Sequence, residues 1–311
     1  MAPIFVGLYH IFREVASLCK RGDTMNDNLK IGFIGAGKVG FSLGRFFVEN
    51  HIQVTGYYSR HKDNAVEAAD FTGTRCYDEL SELVEDNDAI FLTVSDGAIS
   101  SVYQELTKYD ITDKMICHCS GALSSMEAFP QIKAHGATGY SIHPLFPVSS
   151  KYESFRELSD AFFCLEGDSL YIDKWMELLS DCRVRTRRIS AADKVKYHCG
   201  CVVASNLVCA LMDESIGLLA SCGFTEREAR EALSPLVNAN IGHILSEGPI
   251  AALTGPLERA DADTIKKHMA ALEDGIDKEL YVAASRRLIA VAQAKNPDRD
   301  YKGDLKSVLS F

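Results

Sequence analysis

Two groups of residues have the types and spacing to do chemistry. In Gly35-Ala36-Gly37-Lys38-Val39-Gly40, three glycines follow an apolar run and open a helical stretch, which brings backbone N–H groups against a pyrophosphate. Gly35 suits the tight strand-to-helix turn, Gly37 admits the phosphates, and Gly40 lets helix and strand pack closely. The pyrophosphate then lies at a helix N-terminus, where unpaired N–H groups and the macrodipole favour negative charge. The second group is Lys194, His198, Cys201 and Ser205. At about 100° per residue these fall within roughly 60° of one helix face, with Asn206 on the flank. A lysine one turn before a histidine suits a reaction in which negative charge develops on an oxygen or nitrogen, because a nearby cation stabilises the charge and can donate a proton. Lys194 is the expected donor, and His198 is spaced to orient it, share its proton or bond the substrate. His198 alone fits a satisfied buried histidine better; the whole polar cluster, following a nucleotide domain, fits a substrate site.

The preferred dinucleotide is read at the end of the next strand, about 20 residues on, where an acidic side chain would bind a ribose 2′-hydroxyl. This chain has Ser59-Arg60-His61-Lys62 there, and Arg60 can clamp a 2′-phosphate with bidentate hydrogen bonds. NADP(H) is therefore expected over NAD(H), the alternative being a solvated basic turn. Val94, Ser95, Asp96 and Ser120, which close later strands, are the remaining expected cofactor contacts.

These groups need elements to position them. From Met25 onward, apolar strands alternate with helices through short connections, the pattern of an α/β, doubly wound, Rossmann-type parallel sheet. Strands are expected at 30–35, 54–58, 89–94, 115–119, 139–142, 161–166 and 183–189, and helices at 38–49, 62–70, 78–85, 97–108, 122–134 and 169–181. Ligands on such sheets bind beyond the carboxyl ends of the strands, where Ser95-Asp96, Ser120-Gly121 and His143-Pro144 fall. After about Ser190 only helices are expected, at 191–222, 225–246, 261–273 and 277–296. The first of these, at about 30 residues, would extend roughly 45 Å, a seam for the cofactor domain and for a second subunit. The plan is a leader at 1–24 of unassigned role, an NADP(H)-binding Rossmann domain at 25–189, and an all-helical substrate and dimerisation domain at 190–311.

Composition limits the partners. The chain has 311 residues, 47% hydrophobic and 24% charged, an ordinary soluble globular balance with room for two domains. A formal net charge of −10 argues against nucleic acid or a membrane surface, since both demand clustered positive charge. Ten cysteines sit in apolar runs without the spacing of a disulfide framework, as small core residues of a reducing, cytoplasmic compartment. Cys117-His118-Cys119 and Cys199-Gly200-Cys201 lack the two-residue gap of a zinc knuckle, so no metal is expected. Residues 1–24 resemble a weak signal sequence, but the apolar part is short and interrupted by His10 and Arg13, so transport is not expected. No run is expected to approach the roughly 20 apolar residues of a bilayer span.

From Lys30 to about Gln293 the sequence resembles the Rossmann-like proteins with a helical C-terminal domain of long-unassigned function, a group that includes an alternative type of ketopantoate reductase. The resemblance is carried by Ile31 to Gly40, His118-Cys119-Ser120-Gly121-Ala122, His143-Pro144-Leu145, Lys194-Val195-Lys196-Tyr197-His198 with Ala204-Ser205-Asn206, and Ala252-Leu253-Thr254-Gly255-Pro256 with Arg259 and Asp261. It implies that Ser120, His143, Lys194, His198, Asn206, Thr254 and Arg259 line a cleft between two domains. It also implies a helical domain like those of 6-phosphogluconate dehydrogenase and pyrroline-5-carboxylate reductase, paired in a homodimer. Two positions depart from the family pattern: its Arg-Gly-Asp is Arg259-Ala260-Asp261 here, and Phe146-Pro147 follows Leu145 where a polar residue is expected. The implied activity is NADPH-dependent reduction of a small 2-oxo acid, with ketopantoate as the named candidate. Arg259 would bind the carboxylate and Lys194 would protonate the alkoxide, while His198, Asn206 and Ser120 hold the carbonyl within about 3.5 Å of the nicotinamide. The alternatives are imine reduction on a cyclic amino acid, and a non-catalytic NADP(H)-binding regulator, which would need no proton donor.

Overall fold

The computed structural model describes residues 29–309; the leader expected at 1–24 lies outside them. Strand β1 (Ile31–Ile34) is buried at every position, as a strand covered on both faces must be. It feeds α1 (Lys38–Glu49), whose Gly40, Phe41, Leu43, Phe46 and Phe47 form its buried side. Then follow β2 (Val54–Tyr58), α2 (Lys62–Thr72), a two-residue β3 (Arg75–Cys76), α3 (Leu80–Asp86), β4 (Ala89–Leu92), α4 (Asp96–Leu106) and β5 (Met115–His118). A single turn α5 (Ser125–Ala128), β6 (Thr138–Leu145), β7 (Phe162–Gly167), α6 (Ile172–Asp181) and β8 (Arg185–Arg188) complete the sheet. Its order is β3-β2-β1-β4-β5-β6-β7-β8, and the first six strands have the order of a dinucleotide-binding fold. β1 pairs in parallel with both β2 and β4, so the strand order reverses beside β1 and the ligand crevice belongs at its carboxyl end.

Alternation along the strands divides the core between the two faces of the sheet. Ala89 and Phe91 of β4 join one cluster with Phe33, Phe47, Tyr57 and Trp175, while Ile90 and Leu92 join the other with Leu83, Tyr103, Leu106 and Phe129. The first cluster is an aromatic pile: Phe33 stacks on Tyr57 at 5.2 Å and on Phe91 at 5.4 Å, and Trp175 meets Phe91 edge-on at 5.5 Å.

Four features depart from the sequence reading. The sheet is not wholly parallel, because β7 runs antiparallel to β6. Residues 146–161 between them hold only a short 3-10 turn, Ser154–Glu157, and without a helical crossover the chain re-enters the sheet at the end it left. β6 also continues past Ile142, so His143 and Pro144 lie inside the strand, opposite Cys164 and Phe163. The helix expected at 122–134 shrinks to α5 and a 3-10 turn, Ile132–His135. Pro130 disfavours helix at Phe129, and Gln131 takes φ 59°.

The fourth departure is the long helix expected at 191–222. It is a 3-10 turn at Ala191–Asp193, then α7 (Lys194–Ala204) and α8 (Asn206–Ser221), interrupted at Ser205 with φ −125° and ψ −69°. The Ser205 hydroxyl donates to Asn206 Oδ1 at 3.1 Å, a local bond of the kind that competes with helix continuation. By length and composition Ala191–Ser221 does reach the measure of a membrane span, with a mean hydropathy of 1.5, contrary to the expectation that no run approaches it. The apolar reach comes from alanine, valine, leucine and cysteine after Lys196.

The compact unit that holds the sheet extends through Val203 and so takes in α7, and a second unit begins at Ala204. The second unit contains α8, α9 (Glu226–Glu247), α10 (Pro249–Ala252), α11 (Ala262–Ala271), α12 (Ile276–Lys295) and α13 (Tyr301–Leu305). Thr225 and Glu228 form a capping box that starts α9. Leu257, Ile265, Ile289, Ala292, Tyr301 and Leu305 make the small core of this unit. No residue of α8 is buried.

Candidate functional site

A cleft of about 600 Å³ opens at the carboxyl ends of β1, β2 and β4, lined by Gly35 to Gly37, Tyr58 to His61 and Thr93 to Ser95 among others. The three fingerprint glycines are required for three separate reasons. Gly35 has φ +98°, and a Cβ there would meet the Thr93 carbonyl at 2.8 Å. At Gly40 a Cβ would sit 2.5 Å from Thr93 Oγ1 and 2.8 Å from the Gly35 carbonyl. Gly37 is exposed, and a Cβ there would meet nothing closer than the Thr93 carbonyl at 3.8 Å, so the open space around it is available to a phosphate. Thr93 locks the turn by donating its hydroxyl to the Gly35 carbonyl at 2.8 Å. Gly37 and Ser95 begin α1 and α4 without a side-chain cap, so two helix N-termini leave backbone N–H groups unpaired at this cleft. Ser59 and Arg60 line it at the end of β2, and Arg60 is exposed. Val94 also lines it; Lys38 and Val39 stand in the first turn of α1. These residues fit a pyrophosphate and a 2′-phosphate.

Asp96 and Ser120 do something else. Ser120 Oγ donates to Asp96 Oδ2 at 2.7 Å and accepts from the backbone N–H groups of Ala122 and Leu123 at 3.3 and 3.1 Å. The hydroxyl is therefore fully engaged within the protein, and the contact to a substrate carbonyl or cofactor expected of it is replaced by a tie between α4 and the loop after β5. It is the Ser120 backbone carbonyl that faces the second polar group.

That group is built on the first turns of α7. Lys194 is 1% exposed, and its Nζ donates to the Ser120 carbonyl at 2.8 Å and to Ser141 Oγ at 2.7 Å. The third N–H is left for another acceptor, and no carboxylate among the described residues forms an ion pair with it. Burial pulls the Lys194 ammonium below its ordinary pKa, opposed by the charge of Glu166. Glu166, itself buried, is held by the backbone N–H and hydroxyl of Ser125 at 2.7 and 2.9 Å.

Three imidazoles surround this lysine. Burial, then the charges of Lys194 and His198, bring His143 down to about 4. Burial, then Lys194, brings His118 down to about 3. Both are neutral near pH 7. His118 Nδ1 accepts from the Ser120 backbone N–H at 3.1 Å, which leaves its proton on Nε2, without a hydrogen-bond partner and packed edge-on to Phe129 at 5.3 Å. His143 and His198 meet edge-to-face at 6.2 Å, and a Cβ on Gly121 would collide with both, 2.4 Å from His198 Cδ2 and 2.9 Å from His143 Nε2. Lys194, Gly121, His143 and His198 thus come together in one unit.

The rest of the expected face does not continue. Cys201 Sγ donates to the Tyr197 carbonyl of its own helix at 3.3 Å, and Ser205 marks the helix break. Asn206, Thr254 and Arg259 belong to the second unit and are exposed there. Thr254 edges an apolar groove of about 490 Å³ with Leu236, Ile244 and Leu288. In Arg259-Ala260-Asp261, Ala260 takes φ 53° and Asp261 caps α11 by accepting from the Thr264 N–H at 3.0 Å. Among the described residues no three His, Cys, Asp or Glu side chains gather as a metal site. Ser141, Thr93 and Tyr197 were not singled out from sequence. Tyr197, inside Lys194-Val195-Lys196-Tyr197-His198, was the one of these with a visible signal.

Comparison with known proteins bears on the class. Residues 30–120 match the family of NADP oxidoreductases described as coenzyme F420-dependent, and residues 161–288 match a domain of unknown function, DUF2520. No protein of curated function matches the sequence. Among solved structures, a protein from Thermotoga maritima is 26% identical with a TM-score of 0.70, over 85% of this chain and 99% of its own. A candidate NADP oxidoreductase from Bacteroides fragilis is 18% identical with a TM-score of 0.69, over 85% of this chain and 98% of its own. A reductive aminase from Aspergillus terreus, solved with NADPH4, cyclohexanone and allyl amine, is 14% identical with a TM-score of 0.64, over 90% of this chain and 99% of its own. The cleft and the N-terminal match define the class: an NADP-dependent oxidoreductase. Its dinucleotide domain is of Rossmann type and is followed by an all-helical region; the DUF2520 match starts in the last strands of the sheet and runs into that region.

Proposed function

We propose that this oxidoreductase reduces the carbonyl of a small 2-oxo acid with NADPH, with ketopantoate as the candidate substrate. The observation that carries the reading is Lys194: a buried ammonium without an ion-pair partner, held by two neutral acceptors and keeping one N–H free. NADPH, when bound, supplies the hydride to the carbonyl carbon. In this reading the N-termini of α1 and α4 and the space at Gly37 hold the pyrophosphate, and Arg60 holds the 2′-phosphate. Lys194 stabilises the developing alkoxide and donates its proton, a task that a lowered pKa favours. His143 and His198 border the substrate's position beside Gly121.

A buried cation held by neutral acceptors also supports an oxyanion over an imine. Hydride addition to an iminium yields a neutral amine, and the approach of a cationic substrate to Lys194 would be disfavoured. The test is NADPH oxidation over a panel of small 2-oxo acids and cyclic imines. Turnover of ketopantoate supports the proposal. Turnover confined to pyrroline-5-carboxylate replaces it with imine reduction, and NADPH binding without turnover of any member replaces it with a regulator. The nine described cysteines are outside any disulfide, in keeping with the proposed cytoplasmic location.

A further inference from the structure

We propose that Tyr197 is a positioning residue of this site, its hydroxyl holding the His143 ring so that His143 Nε2–H is turned toward Gly121 and the His198 ring. The inference rests on reading the surroundings of these two imidazoles as the substrate's position. Tyr197 Oη lies 2.7 Å from His143 Nδ1, and the two rings meet edge-to-face at 5.7 Å and 84°. The sheet brings a third group near the same hydroxyl: His143 of β6 is opposite Cys164 of β7, which raises the pKa of Tyr197.

The direction of the Tyr197–His143 bond follows from the chemistry of the groups. A thiol is a weak acceptor, whereas an unprotonated imidazole nitrogen is a good one. The phenol proton therefore goes to His143 Nδ1. Burial raises the pKa of Tyr197, reinforced by Cys164, so the hydroxyl keeps its proton. An imidazole that accepts at Nδ1 and is neutral carries its own proton on Nε2. That nitrogen faces Gly121, 2.9 Å from where a Cβ on that residue would stand. The groups that face His143 are Lys194, Tyr197 and His198 on α7, Cys164 on β7 and His118 on β5. Of these, Lys194 and His198 act through their charge, and both disfavour protonation of His143. In this reading the substrate meets two donors of different kind, the charged Lys194 and the neutral His143 Nε2–H.

The experiment combines 15N NMR of the histidine rings with pH–rate profiles, on wild type and Tyr197→Phe, each saturated with NADP+ or NADPH as appropriate. Wild type should show the Nε2–H tautomer at His143, and the variant should lose that preference. On the best substrate, kcat of Tyr197→Phe should fall by about 10- to 100-fold, the scale for a misplaced reacting group, with NADPH affinity unchanged. The acid limb of kcat/KM should move to higher pH, because His143 Nδ1 is no longer occupied by the phenol proton. A merely structural role would lower the unfolding temperature and every rate together without moving that limb. An Nδ1–H tautomer in wild type overturns the proposal even if the variant does not fold, as does a folded variant with an unchanged tautomer and acid limb. The tautomer is read without substrate, so a wild type that reduces no 2-oxo acid yet shows the tautomer change defeats the substrate reading alone.

Discussion

Each residue of the site was legible from sequence to the extent that its role is local. Gly35, Gly37 and Gly40 were assigned separate tasks from spacing, and the space around each agrees: a left-handed turn at Gly35, open room at Gly37, close packing at Gly40. The ties of Ser120 are not legible in this way, because a hydroxyl that could reach a ligand looks the same in sequence as one bound by Asp96 and two backbone N–H groups. Tyr197 was passed over for the converse reason, since its partners, His143 and Cys164, are more than thirty positions away and meet it only through the sheet. Arg60 gives the sharpest prediction at this scale. It is exposed at the end of β2, so removing it should leave the fold intact. Arg60→Ala should weaken NADPH binding by about 1.5–3 kcal/mol, the range for a hydrogen bond to a charged group, and leave NADH binding nearly unchanged. Calorimetric titration with both cofactors checks this, and equal losses would show that Arg60 does not touch the 2′-phosphate.

At the scale of elements, periodicity gave most strands and helices within a few residues, because β1, β4 and β5 are buried on both faces and the first helices carry clear apolar sides. What it could not give was direction and continuity. Nothing in Phe162–Gly167 announces an antiparallel partner, since reversal is decided by the missing crossover in 146–161. The break at Ser205 was hidden because Ser205 and Asn206 are tolerated inside helices as well as at their starts. Ala260 is a further element-scale feature, an alanine in the left-handed region immediately before the residue that caps α11. A left-handed alanine costs roughly 1–2 kcal/mol, and glycine returns part of that as unfolded-chain entropy. Ala260→Gly should therefore stabilise the protein by about 0.5–1 kcal/mol, seen as a higher urea midpoint at constant slope. A lower midpoint would mean that the Ala260 methyl, packed against the helical core, outweighs the strain.

For the molecule as a whole, α8 raises the question of what covers it. Leu207, Leu211 and Leu218 are 51%, 43% and 43% exposed, on a helix with no buried residue. Our reading is a homodimer through the helical unit, in which an isologous contact covers this helix. Sedimentation should give twice the mass of one chain, and Leu211→Glu should shift it toward the monomer; a monomeric wild type at micromolar concentration would refute this. The central claim, that Lys194 delivers the proton to a substrate reduced by NADPH, is tested most directly by the single-turnover rate of NADPH oxidation on the best substrate for wild type, Lys194→Ala and Lys194→Arg, each first shown to unfold normally with saturating NADPH. Lys194→Ala should lose roughly 100-fold or more with NADPH affinity unchanged. Lys194→Arg, which keeps the charge but barely gives up a proton, should recover substrate binding better than rate. A well-folded Lys194→Ala enzyme that retains a near-normal rate would contradict the account and move the proton donor to a histidine or to water.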